Sequence, residues 1–164
     1  MWLILILYST FDLGPHTLKI SRTLHQINRN RLVERLRSDK NVPDHSMIVL
    51  QGGKTQNNYD TDTEPVFRQE SYFHWTFGVG EPDYYGAIDL TTGKSYLFAP
   101  KLPDSYAIWM GKLYTLNDLV DRYNVDAVYY TEQVSSPFFF IIRFSNQLTL
   151  HSKSIISIDM SSFV

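Results

Sequence analysis

The chain has 164 residues, a mass of 19.1 kDa and a net charge of −2, enough for one domain with a real core and too little for two full ones. Fifteen basic against seventeen acidic side chains leave no electrostatic footprint for nucleic acid or an anionic membrane. The absence of cysteine excludes disulfides, cysteine-ligated zinc and thiol catalysis, and is compatible with a cytoplasmic location.

In chain order, residues 1–11 open with an apolar run from Trp2 to Leu7. This is far shorter than the roughly 20 residues that span a bilayer, and it lacks the basic flank and small-residue cleavage site of a signal peptide. An edge strand and sequence foreign to the domain are the two readings left. Ser21 to Val42 has no Gly or Pro and is rich in Leu, Arg, Glu and Asn, which predicts a helix. Its apolar stripe (Leu24, Ile27, Leu32, Val33, Leu36) is imperfect, because Arg31 and Arg35 fall near it. Met47-Ile48-Val49-Leu50, stopped by Gly52-Gly53, predicts a strand covered on both faces.

Residues 54–66 are polar and end at Pro65, so they read as a surface loop. Tyr72 to Phe77 is almost wholly aromatic and predicts a strand closed by Gly78. Tyr84–Leu90 and Ser95–Ala99 flank Thr91-Thr92-Gly93-Lys94, a hairpin signal. Thr115 with Asp118 three residues on resembles a capping box opening a helix to Tyr123, and Ala127–Tyr130 reads as a further strand. The class is α/β with a mixed sheet flanked by helices. Beyond Gln133 the composition shifts: Arg143, Lys153 and Asp159 are the remaining charges, and Phe138-Phe139-Phe140-Ile141-Ile142 forms a dense apolar cluster. By pattern, 138–144 and 155–159 are strands. The favoured reading is different: Gln133-Val134-Ser135 is what an in-frame splice donor spells when an intron is translated, so 134–164 is expected to be a non-matching tail.

Several stretches resemble one family. They are Leu13-Gly14 with Thr17-Leu18-Lys19, Asn28-Arg29, Glu34-Arg35-Leu36-Arg37, Val49-Leu50-Gln51-Gly52-Gly53 and Thr61-Asp62-Thr63. They continue with Phe67-Arg68-Gln69-Glu70-Ser71-Tyr72-Phe73-His74-Trp75 and Trp109-Met110-Gly111-Lys112. Together they look like the N-terminal domain of the prolidases, the Xaa-Pro dipeptidases of the creatinase/aminopeptidase P group. The resemblance covers 12–133 and leaves 1–11 and 134–164 outside. It implies a cytoplasmic homodimer that cleaves dipeptides with C-terminal proline at two Mn2+ ions held by a following catalytic domain, whose ligands this chain lacks. The chain alone is therefore expected to be inactive, as the dimerising and substrate-lid part of such an enzyme. Alternatives of another class are a protein-binding module of the same fold, as in a histone chaperone, or a dominant-negative isoform pairing with a full-length prolidase subunit.

Asp60 and Asp62 put two acids in a polar loop, but with too few further ligands for a cation; turn capping by their side chains is the expected role. His74 reads as a hydrogen-bonded core or subsite-facing histidine, since it has no partner at metal spacing, and Ser71 and Ser105 sit in no nucleophile elbow. Gly52-Gly53-Lys54-Thr55 lacks the upstream glycine of a phosphate loop. Arg68 beside Glu70 suggests a structural ion pair or a strand-end hydrogen-bond anchor. Trp109 differs: one reading is an aromatic packing on its own domain, while the resemblance implies that it reaches the other subunit's active site and touches substrate, and the Gly111 turn would present its ring outward. No residue is expected to be catalytic or to bind metal in this chain.

Overall fold

The computed structural model describes residues 10–43 and 45–133 and the backbone of 156–159. Two short strands, β1 (Thr10–Phe11) and β2 (Ile20–Ser21), pair antiparallel ahead of helix α1 (Thr23–Arg37). Then come β3 (Ser46–Gln51), α2 (Ser71–Phe77), β4 (Tyr85–Asp89), β5 (Ser95–Ala99), the short α3 (Ala107–Met110), α4 (Leu116–Tyr123), β6 (Ala127–Tyr130) and β7 (Ile156–Asp159). The main sheet has the order β6-β5-β4-β3-β7; β5 and β6 are parallel and the other pairs antiparallel. The expected strand at 138–144 lies outside the described residues, as do residues 1–9.

β3 fits its sequence. Ile48, Val49 and Leu50 are buried in succession, as an interior strand with apolar groups on both faces requires. The β4–β5 hairpin forms at the expected place: the Asp89 carboxylate accepts from the Thr91 amide at 2.8 Å and the Thr92 hydroxyl at 2.6 Å, closing the turn. α4 opens on the full capping box, with the Thr115 hydroxyl accepting from the Asp118 amide and the Asp118 carboxylate from the Thr115 amide.

The aromatic segment corrects its sequence reading. Residues 71–77 are a helix, not a strand. Glu70 caps it, its carboxylate accepting from the Phe73 amide at 2.8 Å, and Gly78 ends it in the left-handed region at φ 72°. Phe73, Thr76 and Phe77 turn inward at helical spacing, while Tyr72, His74 and Trp75 are exposed. Aromatic content favours strands as a class, but two good caps and a 3.6-residue burial pattern override it here.

α1 is shorter than the sequence suggested, and its inward face is polar: His25, Asn28 and Arg29 are buried along with Val33, while Leu24 and Ile27 are exposed. The reason lies in α2. Its last carbonyls need donors, and α1 provides them. His25 Nδ1 and the Asn28 side-chain amide meet the Trp75 carbonyl at 3.0 and 2.9 Å, and Arg29 donates to the Thr76 carbonyl at 3.2 Å and to the Asn124 carbonyl. The Arg29 guanidinium also lies 5.6 Å over the Phe77 ring. Burial brings its pKa down to about 10, which leaves it charged at neutral pH and well placed at a helix C-terminus.

Candidate functional site

Between β5 and α4 the chain leaves the sheet and projects a short prong. Pro103 leads into a single 3-10 turn at Asp104–Tyr106, which continues as α3 and stops at Gly111, φ 76° and ψ −150°. A helix this short buries no face of its own. Ile108 and Trp109 at its tip are 81% and 86% exposed. Gly111 has no heavy atom within 4 Å of where a Cβ would stand, so its backbone angles, not crowding, call for glycine there. The result is a large indole held out in water beside the exposed Lys112.

The foot of the prong is anchored by a network that sequence reading missed. Arg122 on α4 donates to the Tyr114 hydroxyl at 3.1 Å and to the Tyr123 hydroxyl at 3.1 Å, and pairs with Glu81 at 3.5 Å. The Tyr123 hydroxyl donates in turn to Glu81. Burial, reinforced by the neighbouring Glu81 carboxylate, pushes the Tyr123 phenol well above its usual range, so it remains a donor. Arg122 stacks over both tyrosine rings, 4.9 Å from Tyr114 and 5.6 Å from Tyr123. Apart from the adjacent Arg122 and Tyr123, these groups are 8 to 42 positions apart in sequence, and no local motif connects them.

The other sequence candidates resolve into structural roles. Gly52 and Gly53 are a tight corner: a Cβ on either would come within 2.9 Å, of the Tyr84 carbonyl and of the Phe67 ring respectively. Their amides are already engaged, Gly52 with the Tyr84 carbonyl at 2.9 Å and Gly53 with the Gln69 side-chain oxygen at 2.5 Å, so no phosphate cradle exists. Gln69 then reaches the Glu81 carbonyl at 2.8 Å, bracing the chain before α2 against the chain after it. The expected Arg68–Glu70 ion pair does not form, because Glu70 turns to cap α2 and Arg68 is exposed. Nor do Asp60 and Asp62 cap their loop: the turn is closed by the Thr61 hydroxyl, which donates to the Asn58 carbonyl at 2.6 Å and accepts from the Thr63 hydroxyl at 2.7 Å. Ser71 begins α2 and is exposed; Ser105 sits in the 3-10 turn.

His74 is on the exposed side of α2, its ring edge-on to His25 at 5.6 Å. His25 is buried against it and against Phe11. Burial holds the His25 pKa below its ordinary value of 6.5, against the pull of the Trp75 carbonyl, with His74 and Arg29 adding in the same direction as burial. The fold therefore favours neutral His25. Its contribution is complete above pH 6.5 and is lost as pH falls through that value toward the lower folded pKa. Thermal melts from pH 7.5 to 5 should show the wild-type chain losing stability over this window and His25→Phe losing less of it. An undiminished slope in the variant would assign the effect elsewhere.

Among the described residues no group of three or more His, Asp or Glu side chains is arranged to hold a metal ion, so the residues present do not fit the dinuclear site implied by the sequence resemblance. Among them, too, no helix is long and apolar enough to cross a membrane.

The family description "Aminopeptidase P, N-terminal domain" matches residues 25–150. The chain belongs to this family. It is 52% identical over 127 residues to the Xaa-Pro dipeptidase of Mus musculus, covering 77% of this chain and 26% of that protein. Against the Xaa-Pro dipeptidase of Homo sapiens the identity is 50% with the same two shares. The chain thus spans about a quarter of the length of the curated relatives it matches. Among solved structures, aminopeptidase P from E. coli in its low-pH form gives a TM-score of 0.61 at 22% identity, covering 76% of this chain and 27% of that one. Proline aminopeptidase P II from Yersinia pestis gives 0.60 at 18%, with shares of 74% and 27%. At these identities the structures speak for the fold alone: an aminopeptidase P N-terminal domain, α/β, with a mixed sheet flanked by helices.

Proposed function

We propose that this chain is the non-catalytic N-terminal domain of a cytoplasmic Xaa-Pro dipeptidase, serving dimerisation and substrate enclosure in an enzyme whose manganese-dependent chemistry resides in another domain. The supporting observation is the prong. An indole 86% exposed, braced from below by the Arg122–Tyr114–Glu81 network, is shaped to insert into something. In a homodimer that something is the neighbouring subunit's substrate pocket, where the ring of Trp109 would close over a Xaa-Pro dipeptide and keep bulk water out. Burying such a ring there returns about 2 kcal/mol that solvent exposure forgoes.

The purified chain is expected to leave Gly-Pro uncleaved with or without added manganese, while remaining folded by circular dichroism. Two exposed carboxylates in a loop offer a hard cation too few oxygens to replace its water. Manganese-dependent turnover that persists after contaminating host peptidases are removed would sink the non-catalytic reading.

A further inference from the structure

Arg22 stands between β2 and α1, and among the described residues its guanidinium has no counter-ion. Its Nε is closed to solvent without a hydrogen-bond partner, the one side-chain nitrogen or oxygen among the described residues so placed. No hydrogen bond or ion pair to a described residue engages its two Nη groups either, and these remain open to solvent. The guanidinium lies 5.1 Å over the Phe11 ring, a contact that offers its protons no lone pair. Arg22 also forms the N-cap of α1, where an oxygen-bearing side chain is the usual choice. A cation has the wrong sign for that end of a helix, and no acidic side chain in the first turn offsets it.

The surroundings add positive charge instead of removing it. Burial, and after it the neighbouring Arg122, hold the Arg22 pKa below its ordinary value, against the pull of the Tyr123 and Tyr114 phenols, so these three side chains converge on Arg22. Glu81 is the acid of the cluster, and its oxygens are already taken up by the Arg122 guanidinium at 3.5 Å, the Gly80 amide at 3.1 Å and the Tyr123 hydroxyl. The Tyr114 hydroxyl accepts from Arg122 and passes its own proton to no described residue. Two guanidiniums therefore share one carboxylate, while both Nη groups of Arg22 and a phenol proton stay unspent. We propose that Arg22, Arg122 and Tyr114 form a binding site for a phosphate-type oxyanion at the foot of the prong. The donors come from three places, ahead of α1, ahead of α4 and on α4 itself, so the ion they share must offer oxygens in more than one plane. A tetrahedral phosphate does so, whereas a planar carboxylate is filled by a single guanidinium fork. Its charge offsets the second guanidinium, which Glu81 leaves uncompensated, and its oxygens take the unspent protons.

Isothermal titration calorimetry of the full chain with inorganic phosphate tests the site, at pH 7.5 and at an ionic strength held constant with sodium chloride. The wild-type chain should bind one phosphate with a Kd of about 1 mM or tighter, and acetate about tenfold more weakly. Arg22→Leu should weaken phosphate binding by about tenfold or more while the chain stays folded by circular dichroism, because no described hydrogen bond depends on that guanidinium. Arg31→Leu removes the same charge from an exposed position on α1 and should bind as the wild type does. Methyl phosphate separates the two sources of such a group. Binding as tight as that of inorganic phosphate shows that the site takes a phosphoryl group carried on a larger molecule, and binding about tenfold weaker reserves it for the free ion. No saturable heat with phosphate, acetate bound as tightly, or equal losses in Arg22→Leu and Arg31→Leu would overturn the proposal. Should Arg22→Leu fail to fold, Arg22→Lys and Tyr114→Phe decide the matter: binding about threefold weaker in each supports the site, and unchanged binding in both overturns it.

Discussion

In a full-length dipeptidase carrying this domain, Trp109→Ala is expected to lower kcat/KM for Xaa-Pro dipeptides by about thirtyfold, which corresponds to about 2 kcal/mol of lost apolar contact in the transition state. The folding free energy should be almost unchanged, because the ring of Trp109 packs against nothing within its own domain that would be missed: it is 86% exposed at the tip of a four-residue helix. Direction of action can be read from mixed dimers. If the ring serves the neighbouring subunit, a dimer with Trp109→Ala on one subunit and a metal-site knockout on the other retains one complete pocket, since the metal-competent subunit receives its indole from the knocked-out one. A dimer with both defects on the same subunit retains none. The split arrangement should therefore keep about half the wild-type activity and the doubled arrangement only the Trp109→Ala background. The reverse order would mean that Trp109 serves its own subunit, equal activities that it contributes to neither pocket, and a stability loss of several kcal/mol that it is a packing residue instead.

How far the sequence reveals this domain depends on how local each signal is. β3, the β4–β5 hairpin and the capped start of α4 are legible because the groups that define them lie within a few residues of one another: Asp89 with Thr91 and Thr92, Thr115 with Asp118. The outward position of Trp109 is legible for the same reason, since Gly111 lies two residues beyond it. What fails is what depends on distant partners. α1 has a poor apolar stripe because its inward face answers hydrogen-bonding demands of α2, a helix some 50 residues away, and polar donors are what a helix C-terminus needs. Residues 71–77 look like a strand because their aromatic content masks the Glu70 and Gly78 caps at their ends. The Glu81–Tyr123–Arg122 network leaves no trace in any short window. Motif similarity nevertheless singles out Gln69 and Glu70, and the structure supplies their physical purpose: one braces the Gly52-Gly53 corner and the other caps α2.

Gly78 marks where these long-range demands meet, and Gly78→Ala is expected to cost more stability than any other single methyl added to the described helix ends. Two penalties coincide. At φ 72° an alanine sits in the left-handed region, which costs roughly 1–2 kcal/mol for an L residue. Its Cβ would also stand 2.4 Å from Cδ2 and 2.5 Å from Nε2 of His25, well inside contact distance. A flexible surface side chain would swing away at little cost. His25 has nowhere to go: it is buried, edge-on to His74 and to Phe11, and its Nδ1 is committed to the Trp75 carbonyl at 3.0 Å. Moving the ring breaks that bond and leaves a C-terminal carbonyl of α2 with Asn28 as its remaining side-chain donor. Overpacking of this kind costs about 1–3 kcal/mol. The combined loss is about 3–4 kcal/mol, a large share of the stability of a domain this size. Urea unfolding of the chain at pH 7.5 measures it. The double variant Gly78→Ala with His25→Ala separates the two parts, because deleting the imidazole relieves the clash and leaves the backbone penalty. Gly78→Asn provides the converse, since asparagine tolerates the left-handed region yet still meets His25. A loss no larger than the backbone penalty of about 1–2 kcal/mol for Gly78→Ala would mean that His25 yields freely, and the α1–α2 contact would then not be the rigid part of the fold that its hydrogen bonds describe.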